Sequence, residues 1–213
     1  MIEFEIKRTG MLIVVSAPSG GGKSTILRAL LESDNSLAYS VSATTREKRA
    51  GEEDGRDYFF YRETEFEDLV RQNAFYEYAR VHGNMYGTLK AEVDAKLAAG
   101  KNVLLDLDVQ GSLRLKRDMP DCTTIFVLPP SMAELERRLR GRGSDAEEVI
   151  QRRLTNARGE VKFADRYDYI LMNVDLDKTV DNMRAIIRAQ YFRASRTLIR
   201  DSFGNVLQST QKV

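Results

Sequence analysis

Residues 17–25 read Ala17-Pro18-Ser19-Gly20-Gly21-Gly22-Lys23-Ser24-Thr25, directly after the apolar run Met11–Val15. The spacing is that of a phosphate-binding loop, G-x-x-x-x-G-K-[ST], with Ala17 in the first glycine position. Glycines let successive backbone N–H groups converge on one anion, and the N-terminus of the following helix adds its positive dipole end. Lys23 supplies a compact charge to the outer phosphates, and the Ser24 hydroxyl suits a direct magnesium ligand. A Gly-rich turn with an incidental lysine is the bland alternative. An apolar strand before the loop and a helix after it favour nucleoside triphosphate binding.

Outward from this loop, strands and helices alternate. Strands are expected at Met11–Ser16, Tyr39–Ser42, Asn102–Asp108, Thr123–Leu128 and Tyr169–Met172. Helices are expected at about 23–31, 88–99, 111–118 and 177–200, with two more opened by Ser131-x-x-Glu134 and Ser144-x-x-Glu147. Asn102–Asp108 is mostly apolar and β-branched or Leu-rich, as a strand covered on both sides should be. The pattern predicts an α/β fold, a P-loop NTPase with a doubly wound parallel sheet. Residues 57–87 differ, with clustered aromatics and strands at 58–61 and 75–81 around a helix for which Thr64-x-x-Glu67 is the expected capping box. They read as a small α+β insertion.

Composition narrows the chemistry. The 213 residues carry 33 Lys and Arg against 32 Asp and Glu, a net charge of +1. That balance offers no global reason to bind nucleic acid or anionic membrane. One cysteine, Cys122, and one histidine, His82, exclude a disulfide framework and leave too few ligands for a structural zinc site. Met11–Val15 is too short for a signal core or a span, so a cytoplasmic protein without a membrane partner is expected.

Phosphate-loop proteins differ in what lies outside the loop. A kinase needs a cationic acceptor site and a mobile lid bearing arginines. Thr44-Thr45-Arg46-Glu47-Lys48-Arg49-Ala50-Gly51 offers two arginines three apart, each able to fork onto a phosphate, with Tyr58 close behind. Either arginine alone would read as part of a solvated loop; beside a phosphate loop they read as an acceptor site. Residues 131–160 hold seven arginines and six acids. Arg142 lies between two glycines at a helix junction, and Arg153 about one turn into the next helix. Such a pair suits neutralising the transferring phosphoryl group, although each arginine has a surface i,i+4 role as its alternative.

Several ordered motifs carry a specific resemblance. Ser40-Val41-Ser42-Ala43-Thr44-Thr45-Arg46, Arg49, Gly51 and Asp57-Tyr58 resemble the acceptor site of guanylate kinases. So do Phe75-Tyr76-Glu77-Tyr78-Ala79, Gly83-Asn84-Met85-Tyr86-Gly87-Thr88 and Asp106-Leu107-Asp108-Val109-Gln110-Gly111, and residues 137–143 look like the lid of bacterial members. Similarity runs from about Met11 to Arg196. The resemblance implies ATP-dependent phosphorylation of GMP to GDP with Mg2+, a step in guanine nucleotide synthesis and recycling. It places the GMP phosphate on Arg46, Arg49, Tyr58 and Tyr86, and guanine against Ser42, Glu77, Thr88 and Asp108. It places ATP on Ala17, Pro18, Ser19, Gly20, Gly21, Gly22, Lys23, Ser24 and Thr25, with Arg138 and Asn173. Lys23, Arg46, Arg142 and Arg153 are then the catalytic set, and Asp106 binds magnesium through water. Asp106 and Asp108, both on the strand, should share one face.

The implied organisation is a leader at 1–10, a kinase domain at 11–196, and a helix end with tail at 197–213. The core would occupy 11–42, 88–130 and 160–196, the acceptor subdomain about 43–87 and the lid about 137–159. Ala17, Met85 and Val174 depart from the usual family residues. A non-catalytic scaffold module of the same family is the competing class, but those modules have degraded phosphate loops, whereas Lys23 and Ser24 stand. The arginines at 184, 188, 193, 196 and 200 read as a solvated or homo-oligomer face.

Overall fold

All five residues of Leu12–Ser16 are buried, and their side chains divide between two apolar layers. In the computed structural model the chain is described over residues 3–81, 83–141 and 146–208. In chain order, β1 (Phe4–Arg8) and β2 (Leu12–Ser16) precede α1 (Lys23–Ser33) and β3 (Leu37–Tyr39). Next come β4 (Ala43–Thr44), β5 (Phe59–Phe60), α2 (Glu63–Arg71), β6 (Phe75–Val81) and β7 (Asn84–Leu89). Then follow α3 (Lys90–Ala98), β8 (Asn102–Asp106), α4 (Val109–Asp118), β9 (Thr123–Leu128), α5 (Met132–Arg140) and α6 (Glu147–Val161). Last are β10 (Tyr169–Met172), α7 (Leu176–Tyr191), β11 (Thr197–Asp201) and β12 (Val206–Gln208).

The central sheet is parallel throughout, in the order β10-β9-β2-β8-β3. Met11, Ile13, Val15, Leu104 and Ile125 pack against Ile26, Leu27 and Leu30 of α1 and Val180, Met183 and Ile187 of α7. On the other face Leu12, Val14, Val103 and Leu105 meet Val93 of α3 and Leu115 of α4. Each such side chain, withdrawn from water, contributes about 1.5–3 kcal/mol, so covering both faces holds the sheet. This is the doubly wound α/β arrangement the alternation predicts.

A second sheet, β5-β4-β7-β6, carries the insertion. Phe66 of α2 stacks on Phe75 of β6 with ring centroids 4.4 Å apart, giving the insertion its own apolar nucleus. The expected strand at 39–42 is displaced: β3 stops at Tyr39, and residues 40–42 lie in no strand. Ser40 N–H still donates to Leu104 O at 3.0 Å, but Ala43 and Thr44 pair with β5 and β7 instead. β7 was not expected: Gly83, at φ +89°, lets residues 84–89 return along β6, so Thr88 lies in a strand and α3 begins at Lys90.

Three further expectations are corrected. α2 begins at Glu63, ahead of Thr64; Glu65 accepts from the Arg62 N–H at 2.8 Å, so the cap sits two residues earlier. β8 stops at Asp106, and Asp108 is the N-cap of α4, its carboxylate accepting from Gly111 N–H at 2.7 Å. The last helix ends at Tyr191, not Arg200. The Thr197-Leu198-Ile199 run suits a strand, and it pairs antiparallel with β1 from Arg8↔Thr197 to Phe4↔Asp201. Phe4–Arg8 are therefore no simple leader, and Thr197–Asp201 and Val206–Gln208 are no helix end; they form a third sheet, β1-β11-β12. Ser131 does cap α5, accepting from Glu134 N–H at 3.0 Å. Ser144, like His82 and Arg142, lies outside the described residues.

Candidate active site

β2 ends against the phosphate loop, and α1 leaves it. Gly20 and Gly22 hold φ of +93° and +94°, a left-handed conformation that a side chain resists. A Cβ on Gly22 would also run into the Asn173 amide. That amide ties the loop down: buried Asn173 donates to Gly21 O at 2.9 Å and accepts from the Thr179 hydroxyl at 3.3 Å. Residues 17–25, with Asp108 and Glu160 opposite, line a concavity of about 340 Å³. Lys23 sits within it, its ammonium paired with Asp106 and donating to Leu107 O at 3.2 Å.

Ser24 and Asp106 open onto a common hollow beside α1. Their hydroxyl and carboxylate oxygens are the hard donors magnesium takes. Among the described residues no three His, Cys, Asp or Glu side chains cluster as a metal cage. Few protein ligands is the usual arrangement where phosphates complete the shell, so this donor set fits a nucleotide-borne magnesium.

A second cleft, about 320 Å³, joins the loop to the insertion. Lys23 and Asp106 stand at one end; Ser42, Tyr58, Glu77, Tyr86 and Asp108 line the rest. Glu77 on β6 has only 8% of its side chain exposed and accepts from the Thr88 hydroxyl at 2.9 Å. Burial pushes its carboxyl above the usual range, the Thr88 hydrogen bond and Arg114 pull it back, and Asp108 adds to the rise. Such a buried carboxylate requires donors from whatever enters. Burial also raises the Tyr58 phenol, keeping it a donor, and its ring lies 6.0 Å from that of Tyr86.

Arg46 lies over the Tyr58 ring at 5.3 Å. Its guanidinium donates to Glu52 at 2.7 Å and to Glu47 O at 2.7 Å, and the Glu52 bond raises its pKa further. The other Glu52 oxygen accepts from the Arg49 N–H at 2.8 Å, closing the loop. The Arg49 side chain is exposed, and the structure lines the cleft with neither arginine: Arg46 reaches it only through its contact with the Tyr58 ring.

Helices α5 and α6, where the lid is expected, touch the phosphate loop directly. Leu135 and Leu139 of α5 press on Gly20. Arg138 donates to Glu134 at 2.8 Å and to Asn173 O at 3.1 Å, placing it at the loop's edge. Arg153 of α6 donates to the Ser19 hydroxyl at 3.0 Å. Arg137 binds Glu134 of its own helix, a surface role, while Arg140 binds Glu136 of α5 and, with two hydrogen bonds, Glu147 of α6.

Sequence reading missed Glu52, Arg114 and Glu160. Glu52 follows the Gly51 turn, three residues after Arg49, a spacing that points its carboxylate back at the arginines. Arg114 and Glu160 gave no local signal, because each depends on a helix face meeting the cleft. Glu160, half-buried at the end of α6, has its carboxyl raised by burial, with Lys23 opposing.

The family profile described as guanylate kinase matches residues 9–190. The guanylate kinase of Syntrophotalea carbinolica is 48% identical over 201 residues, covering 94% of this chain and 95% of its own. That of Caldanaerobacter subterraneus is 46% identical over 191 residues, covering 90% of this chain and 93% of its own. The crystal structure of guanylate kinase from Anaplasma phagocytophilum aligns with a TM-score of 0.73 at 34% identity, over 90% of this chain and 92% of that one. With similarity running across nearly the whole chain, and a phosphate loop that shares one cleft with the buried carboxylate of Glu77, this chain belongs to the guanylate kinase family.

Proposed function

We propose that the chain transfers the γ-phosphoryl group of ATP to GMP, giving ADP and GDP. The observation that carries this is the shared cleft, with Lys23 at one end and Glu77 with Thr88 at the other. Guanine presents N1–H and its exocyclic amine as adjacent donors, and one carboxylate accepts both. Adenine has an acceptor at N1 and would leave Glu77 buried and unpaired, a mismatch that discriminates strongly. Ser42 and Asp108 line the same end. Arg46, Tyr58 and Tyr86 receive the monophosphate, with Arg49 closing from the rim.

Residues 17–25 hold the triphosphate of ATP, with Arg138 and Asn173 at the loop's edge. An oxygen of the acceptor phosphate attacks the γ-phosphorus as the bond to the β–γ bridging oxygen breaks, and ADP takes the electron pair. The acceptor oxygen is already anionic, so no strong base is required; positioning and charge neutralisation do most of the work. Lys23 follows the migrating charge from its place beside Asp106. Arg153, and Arg142 from outside the described residues, complete the neutralisation as the lid closes and excludes water. Ser24, directly, and Asp106, through water, would hold Mg2+, whose charge would screen the triphosphate.

The near-neutral charge favours small-molecule partners over nucleic acid. Among the described residues no helix is long and apolar enough to cross a membrane. A cytoplasmic setting and a homo-oligomeric state complete the reading. A coupled assay with ATP and magnesium across GMP, AMP, CMP and UMP tests it. GMP should be used far faster than the others; equal rates on AMP and GMP would refute the base assignment.

A further inference from the structure

Arg114 lies on the inner side of α4, and its Nη2 stands 3.9 Å from the Glu77 carboxylate. That nitrogen is buried and has no hydrogen-bond partner among the described residues. The rest of the side chain is partly exposed, so the guanidinium reaches inward from solvent and leaves one N–H unspent next to the base site. An orphaned buried donor is costly unless something justifies its position.

We propose that Arg114 is a positioning residue for GMP recognition, standing behind Glu77 as the counter-charge that keeps its carboxylate ready for guanine. The inference rests on the reading of Glu77 given above. The surroundings of Glu77 make the need plain. From β7 it receives one neutral hydrogen bond, from Thr88; the α4 N-cap turns the Asp108 carboxylate toward it. Gly111 packs so closely that an added Cβ would lie 3.0 Å from Glu77 Oε2, which leaves no room for a solvating water on that side. Across the cleft, Lys23 is already paired with Asp106, and Tyr58 and Tyr86 are uncharged. Arg114 is therefore the cation that faces Glu77 from the elements packed on it. Without it, burial and Asp108 both favour the protonated acid, which can no longer accept two hydrogen bonds from the base.

The consequence is a pH signature that a purely structural arginine would not produce. The acid limb of kcat/KM reports the free enzyme's essential groups. Removing the counter-charge moves the protonation of Glu77 to higher pH, so the loss grows as pH falls. Steady-state kinetics between pH 5.5 and 9 on the wild type, Arg114→Gln, Arg114→Lys and Glu77→Gln decide the matter. Arg114→Gln is expected to lower kcat/KM for GMP by about tenfold at pH 6 and about twofold at pH 8.5, with KM for ATP unchanged. Arg114→Lys should restore most of the acid limb, and high salt should shrink the difference because the guanidinium is partly exposed.

A loss in Arg114→Gln that is equal at every pH would overturn the proposal, as would an acid limb identical to wild type. So would an Arg114→Lys variant no better than Arg114→Gln. Glu77→Gln separates the two levels. If it barely changes GMP use, the base-site reading falls and this inference with it; if it is severe while Arg114→Gln is silent, only the role of Arg114 falls.

Discussion

Asn173, at the C-terminal end of β10, donates its side-chain amide to the carbonyl of Gly21 at 2.9 Å. A residue remote in sequence thus props the phosphate loop from beneath, while Arg138 holds the Asn173 carbonyl at 3.1 Å. Loop, edge strand and α5 meet at one residue, through its side-chain amide and its main-chain carbonyl. Replacing Asn173 by Ala strands a buried carbonyl and should cost about 1–3 kcal/mol in chemical denaturation. KM for ATP should rise more than KM for GMP. Equal effects on both substrates would mean that the bond supports the fold alone.

Lys23 rests on Asp106 and Leu107 O, and the proposed reaction gives it the phosphates as its task. Lys23→Ala should lower kcat by about 10²–10³-fold, the scale of losing one preorganised charge at a transition state. The measurement is single-turnover phosphoryl transfer at saturating GMP, with circular dichroism to show an intact fold. A variant retaining most of its rate would remove Lys23 from the catalytic set.

Glu52 bridges the Arg46 guanidinium and the Arg49 backbone. Glu52→Ala should raise KM for GMP about tenfold, the equivalent of one charge-assisted hydrogen bond, by letting the arginine loop lose its shape. KM for ATP should not move. A fall in KM for GMP would show instead that Glu52 competes with the incoming phosphate.

Glu77 carries a raised carboxyl because it is buried. A group whose folded pKa lies above its unfolded value costs nothing at low pH; its penalty develops as pH rises from the unfolded value to the folded one and is complete above it. Glu77→Gln should therefore raise Tm at pH 8 but not at pH 4. The rise is bounded at a few degrees, since about 1 kcal/mol moves Tm by about 2–4 °C in a domain of this size. The same variant should lose selectivity for GMP over AMP. Differential scanning calorimetry at the two pH values and the monophosphate panel check both halves.

Burial pushes the Cys122 thiol up to about 11, with Lys116 opposing. It should not react with a disulfide reagent at pH 8 until the chain is unfolded. Rapid labelling of the native protein would contradict the packing of Cys122 with Leu105 and Leu115.

The parallel core was legible because Met11–Val15, Asn102–Leu105 and Thr123–Val127 are short apolar runs between helices of clear period, and the burial they predict is the burial found. The phosphate loop was legible because one backbone conformation demands those glycines. Residues 39–44 were not, since whether a strand continues or changes sheet depends on partners distant in sequence. The β7 return was hidden by a segment too polar to look like a strand. Asp108 read as strand because it follows Asp106 by two; in the structure its carboxylate starts a helix instead. Arg114 was invisible for the same reason that makes it interesting: its meaning arises only when α4 packs against β6.

The β1–β11 ladder sets Phe4 opposite Asp201, joining residues from the two ends of the described chain. Closing so large a loop costs more entropy than any hairpin in the fold, and most of both β1 and β12 lies in solvent. The ladder should therefore form late and open first, with its amides exchanging well before those of β2 or β9. Catalysis then has a timetable: loop, cleft and lid can be complete before the ends of the chain find each other. Fraying there would loosen the seam without touching the chemistry.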